Sequence, residues 1–270
     1  MQRDALVLGC AVTLLVAGCS RLERLSIVKP TAERGDWTQV AEKYEVSDKG
    51  QKSVPMAAQQ LLAAATDAYR AGQQDLAEQQ ARQALKADPG LADAHSLLGA
   101  IASARGDVVS AGKHYQQAVA LAPAAGAHAN NYGTWLCGNG RAAESLAWFE
   151  KAVADSNYST RAAALANAGT CANRAGQPVQ AEANWRQALA LDPGELQSLA
   201  GMAGLQFARG RHLEARAFAE RWLALAPSDA EGLHLASQIE LKLGDTAASA
   251  RYLHRLQALS PGAANVPRTQ

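Results

Sequence analysis

The sequence predicts an all-α chain, wound as a right-handed superhelical solenoid of six helical hairpins. Three observations lead there. Glycines recur at Gly72, Gly106, Gly140, Gly176, Gly210 and Gly244, in steps of 34, 34, 36, 34 and 34. Prolines recur at Pro89, Pro123, Pro193, Pro227 and Pro261, in steps of 34, 70, 34 and 34. Between these marks apolar residues fall at helical spacing, and β-branched runs alternating with polar residues are scarce. A short amphipathic hairpin cannot bury its apolar face alone, so a repeat of this length is expected to stack on its neighbours.

The first element is the N-terminal 1–18. Met1–Gln2–Arg3–Asp4 precedes an apolar run, Ala5 to Ala17, too short to span a bilayer permanently but suited to a signal-peptide core. It closes on Leu15–Val16–Ala17–Gly18–Cys19, small residues before a cysteine. This resembles a bacterial lipoprotein signal, which implies cleavage before Cys19 and acylation of its thiol. The alternative is an ordinary export signal with an incidental cysteine. Ser20, in place of an aspartate, implies by the same resemblance an outer-membrane location. One acyl chain holds a protein only reversibly, whereas several hold it stably.

Residues 19–54 lack a sustained period and hold Pro30, Gly35 and Gly50 among charges of both signs, so a tether is expected. Within it Trp37, Val40, Ala41 and Tyr44 could share one face of a short helix that either docks on the first repeat or meets a partner.

The repeats occupy 55–261, with a tail at 262–270. Asn157 stands where a proline would close the third unit, and two extra residues fall in 155–161. A small residue follows each turn glycine by five, as in Ala77, Ala111 and Ser145. A second position, four later, reads Ala81, Tyr115, Phe149, Trp185, Ala219 and Leu253. A close-packing position in the first helix reads Ala65, Gly99, Gly133, Gly169, Ala203 and Ser237. The slot that is Ala84, Ala118, Ala152 and Ala188 becomes Trp222 and Leu256 in the last two units. This pattern resembles the tetratricopeptide repeat. The resemblance implies six units with their first helices lining a concave face. The middle units fit best and the ends drift, as a capped stack would.

Lys and Arg number 26 against 25 Asp and Glu, a balance that argues against a nucleic-acid partner. Gly138–Asn139–Gly140 with Ala143 matches a dinucleotide fingerprint, but it follows a helix and belongs to the repeat turn. The six histidines are scattered and do not pair at ligand spacing, so neither a metal nor a cofactor is expected. No catalytic constellation is found, and the chain is read as a binding protein rather than an enzyme, with no small-molecule substrate.

Beyond Cys10 and Cys19 the chain has Cys137 and Cys171, on first helices of adjacent units. In an oxidising compartment a bond between them is geometrically plausible, the alternative being two buried free thiols. The tetratricopeptide resemblance implies a partner-binding groove at exposed positions of the first helices, here Asn130, Thr134, Thr170, Asn173 and Arg174. Asn131 and Asn167 fill the recurrent asparagine slot, where bonding to backbone between helices is expected. Trp135 could belong to core or groove.

A lipobox, a tether, six such units and a cysteine pair together resemble the pilotins of type IV pilus systems, the PilF/PilW kind. The segment Asn130–Asn131–Tyr132–Gly133, with Leu136–Cys137 and Gly140–Arg141, carries that likeness. It implies an outer-membrane lipoprotein that binds secretin subunits and promotes their localisation and multimerisation, hence pilus assembly and twitching motility. A tetratricopeptide lipoprotein that serves cell-envelope enzymes or outer-membrane barrel assembly is the alternative.

Overall fold

A computed structural model describes residues 55–259. The signal, Cys19, the tether and its Trp37–Tyr44 face, Pro261 and the C-terminal tail lie outside the described residues.

Twelve helices and no strand occur among the described residues. They pair as α1 (Met56–Arg70) with α2 (Gln74–Ala87), α3 (Ala92–Ala104) with α4 (Val108–Leu121), and α5 (Gly126–Gly138) with α6 (Ala142–Ala154). The second half continues with α7 (Arg161–Arg174) and α8 (Pro178–Leu191), α9 (Leu196–Ala208) and α10 (His212–Leu225), and α11 (Ala230–Leu243) and α12 (Thr246–Ala258).

Each hairpin turns at its glycine. All six turn glycines have positive φ, from 73° to 85°, a region open to glycine without a Cβ clash. The residue after the glycine donates its N–H back across the helix end, as Gln73 does to the Ala68 carbonyl and Arg141 to that of Leu136, both at 2.9 Å. This satisfies carbonyls that the helix end would leave bare. Between hairpins, Asp88 and Asp192 each accept the N–H two residues on, at 2.9 Å, and fix a tight corner around the proline. The corner at 155–160 is longer. There Asp155 accepts from Asn157 and also from Gly126 at the start of α5, so one carboxylate anchors both ends of the third hairpin.

The core is built from pairs of complementary volume. Where the close-packing residue is glycine, the opposed helix brings an aromatic ring: Gly99 faces Tyr115, Gly133 faces Phe149 and Gly169 faces Trp185. A Cβ on Gly169 would stand 2.5 Å from the Trp185 ring. Where that residue is alanine, the opposed one is alanine too, as in Ala65 with Ala81 and Ala203 with Ala219. Trp222, in a slot held by alanine in the first four units, is received by Gly232 of the next unit. Interiors pack near crystalline density, so such exchanges must be reciprocal.

Odd-numbered helices each touch the next odd-numbered helix, while even-numbered helices have no comparable contact with one another. The first helices are therefore the closely spaced face of the stack. Ion pairs clasp neighbouring units from the other side. Arg105, at the end of α3, binds Glu78 and Asp75 of α2, and Arg209 repeats the clasp on Glu182 of α8. Arg216 of α10 binds the buried Glu240 of α11.

Candidate functional site

The closely spaced face carries a ladder of short polar side chains that runs across units. Asn131 of α5 donates to the Ser96 hydroxyl of α3 at 3.0 Å. Asn167 of α7 donates to the Asn130 side-chain oxygen of α5 at 3.1 Å, with the Thr134 hydroxyl 3.5 Å away. Gln197 of α9 donates to the Thr170 hydroxyl of α7 at 2.8 Å. Thr134 in turn donates to the Asn130 carbonyl at 2.9 Å. The structure thus brings Asn130, Thr134 and Thr170 into one polar strip. Asn173 is exposed near the C-terminal end of α7, and Arg174 turns toward the Cys137 sulfur at 4.0 Å.

Asn131 and Asn167 bond side chains of the preceding first helix rather than its backbone, which corrects the role expected from their slot. Gln197 and Ser96 complete the ladder and were not singled out from sequence. Carrying the register of Asn130 one unit back would have reached Ser96; Gln197 lies in a different register, that of Ala127 and Ala163. Trp135 is half-buried, stacks on Tyr132 with centroids 5.7 Å apart, and rides over Gly112 of α4, so it belongs to the seam between units.

Cys137 and Cys171 are joined in a disulfide with Cα atoms 5.8 Å apart. It binds α5 to α7 beneath the strip, within a core that includes Phe149, Trp185 and Met202.

The face is almost free of charge in its middle. Neither α5 nor α9 contains Asp, Glu, Lys or Arg, and α7 has arginines only at its two ends. Ala127, Ala163, Ala200 and Gly204 keep the walls low. His128 of α5 is buried, which pushes its imidazole below the usual histidine range, and the Asp93 carboxylate 3.5 Å away opposes that shift. Each ladder amide spends one group on its neighbour and keeps another. Asn130 retains its N–H groups, and Asn167 and Gln197 retain their oxygens. Such a face can pair with the main chain of another polypeptide. It has no charge with which to select an ion.

An open cleft of about 380 Å³ lies between α6 and α8, floored by Phe149, Leu165 and Ala168 and edged by Glu150, Gln180 and Asn184. It holds none of the groove residues. No group of three or more metal-ligating side chains occurs among the described residues, and none of the described helices is long and apolar enough to cross a membrane. The histidines are not all scattered. His95 and His114, in the same hairpin, do meet, Nδ1 to Nδ1 at 3.1 Å.

Profiles of the tetratricopeptide repeat match residues 62–126 and 172–239. The type IV pilus assembly protein PilF of Pseudomonas aeruginosa is 26% identical over 181 residues, 67% of this chain and 72% of PilF. The crystal structure of PilW, a widely conserved type IV pilus biogenesis factor, aligns with TM-score 0.72 and 29% identity, over 77% of this chain and 95% of PilW. The chain is an all-α tetratricopeptide-repeat protein, homologous to PilF and similar in structure to PilW. A structure of Pseudomonas aeruginosa PilF aligns equally well, TM-score 0.72, over 78% of this chain and 95% of PilF at 24% identity, a likeness of fold. Within the tetratricopeptide frame Ser96 and Asn130 share one register in adjacent units, Asn131 and Asn167 a second, and Thr134 and Thr170 a third.

Proposed function

We propose that this protein acts in type IV pilus biogenesis as a pilotin. Anchored in the outer membrane by a lipid on Cys19, it holds secretin subunits in its first-helix groove and promotes their localisation and multimerisation. The observation that carries this reading is the likeness to PilW over 95% of that chain's length at 29% identity. The uncharged, amide-lined face supports it as a grip on polypeptide main chain, and a scaffold of this kind needs no bond made or broken.

The physical advantage is one of concentration. A tether of some 35 residues spans on the order of 35 Å, so subunits held by neighbouring lipoproteins meet in a thin layer beside the bilayer they must enter. The test is a deletion strain complemented with the wild type or with Cys19→Ala, scored for secretin multimers and surface pili. The deletion should lose both, and Cys19→Ala should give a folded protein that does not restore them. Normal multimers in the deletion strain, or capture of envelope enzymes or barrel-assembly components in place of secretin, would overturn the reading.

A further inference from the structure

The second hairpin pairs two histidines at positions that are apolar in the third, fifth and sixth hairpins and hold a leucine with an amide, Leu61 with Gln80 and Leu165 with Asn184, in the first and fourth. His95 of α3 and His114 of α4 point Nδ1 at Nδ1, 3.1 Å apart, with ring centroids 5.4 Å apart. The centroid separation exceeds the nitrogen separation by about two ring radii, so the nitrogens meet head-on. One ring donates the proton they share and the other accepts it. In the remaining units the position of His95 is held by Leu61, Ala129, Leu165, Leu199 and Leu233. The position of His114 is aromatic in the third, fifth and sixth units, at Trp148, Phe218 and Tyr252. There the two positions form ordinary core contacts: Ala129 and Trp148 share one apolar cluster, Leu233 and Tyr252 another.

We propose that the His95–His114 pair is an acid-sensitive latch between α3 and α4. In its neutral form the pair holds two protons, one of them in the bridge. A first added proton goes to the free Nε2 of the donating ring and leaves the bridge intact. A second must occupy the accepting Nδ1. It removes the lone pair that closed the bridge and sets two cationic N–H groups against each other. The latch then opens.

Burial of both half-buried rings, together with the charge of His114 acting on His95, holds the pair below the usual histidine range. The charged groups that face it are Arg82 and Glu78 of α2 and Asp107 at the start of α4, all acting on His114. Arg82 resists its protonation and the two carboxylates favour it. Glu78 is held below its ordinary range by Arg105 and Arg82, and Asp107 by Ser110, so neither changes charge in mild acid. Unfolded histidines take up protons near pH 6.5, whereas the folded pair resists them. The latch therefore contributes fully above about pH 6.5 and is lost as the pH falls below it. His95 stands between Asp93 and Ser96, which tie α3 to His128 and Asn131 of α5, so opening the latch frees α3 where the ladder begins.

The test compares amide hydrogen exchange of the full chain at about pH 7.5 and about pH 5, after correction for the intrinsic pH dependence, in the wild type and in His95→Leu/His114→Phe, which copies Leu199 and Phe218 of the fifth unit. Acidification should speed exchange in α3 and α4 about ten-fold more than in α9 and α10, and the variant should lose that difference. An equal acceleration in the variant, or none in the wild type, overturns the proposal. Imidazole nitrogen NMR of the unmodified chain gives an independent reading. The pair should titrate in two separated steps, and two superimposed ordinary titrations would equally overturn it.

Discussion

The third and fourth hairpins differ from the sixth in how they use one register. In the middle, glycine on the first helix receives an aromatic ring: Phe149 is fully buried and Trp185 is wedged between Gly169 of its own unit and Gly201 of the next. In the sixth hairpin the close-packing residue is Ser237, which pairs with Ser249 at 3.0 Å, and the position of the ring is Leu253, 43% exposed. The middle also carries the disulfide and the centre of the amide ladder. The hairpin turns do not distinguish these units, since all pass through the same positive-φ glycine. What differs is side-chain volume. A stack of equal hairpins can be made firm where it grips and plain where it ends by exchanging residues in matched pairs.

The contrast can be broken most severely at the ring. Phe149→Ala should cost about 3–5 kcal/mol, because it leaves a hole between Gly133 and its neighbours that small side chains cannot fill. The equivalent Leu253→Ala should cost about 1 kcal/mol or less, since that side chain is already 43% exposed. Urea unfolding of both variants measures the difference, and similar losses would show that the units are energetically equal.

The next effect is covalent. Cys137→Ser/Cys171→Ser opens a loop of 34 residues and should cost about 3–4 kcal/mol on the chain-entropy account. Hydrogen exchange should then rise in α5 to α8 more than in α1, α2, α11 and α12. A uniform rise would mean that the bond braces no particular unit.

A smaller effect tests the clasp on the opposite side. Arg209, and after it Arg186, hold the Glu182 carboxyl down at about 2. The folded state therefore gains from this group above about pH 4.5 and loses that gain as the pH falls toward 2. Glu182→Gln should cost about 1 kcal/mol at neutral pH, a modest figure because Arg209 remains partly in water. The variant should also show a shallower loss of stability between about pH 4.5 and pH 2, measured by urea midpoints.

Much of this was legible in the sequence. The glycines and prolines mark turns, and their period of 34 residues survives every substitution between them. Backbone punctuation of this kind depends on single residues, so a single sequence displays it. The pairing of volumes was less legible. Gly169 with Trp185, or Trp222 with Gly232, can be read as drift when each position is judged alone, and only contact shows that one residue answers the other. The groove was legible by half. Asn130, Thr134 and Thr170 stand out because they are polar at first-helix positions. Their partners Asn167 and Gln197 lie 27 to 37 residues away, across unit boundaries that local spacing does not reveal. The meeting of His95 and His114 was missed for a similar reason: 19 residues separate them, and the hairpin turn lies between.

The central claim is that the uncharged first-helix face grips the partner polypeptide. Its most direct test is the affinity of the full chain for purified secretin subunits, with one charge placed on either side of the stack. Thr134→Arg puts a cation on the exposed middle of the groove, and Gln187→Arg puts one at the cleft between α6 and α8. The account predicts that Thr134→Arg weakens binding at least about ten-fold with unchanged unfolding, that Gln187→Arg binds as the wild type does, and that wild-type binding depends little on salt. Undiminished binding by Thr134→Arg, or loss confined to Gln187→Arg, would contradict it.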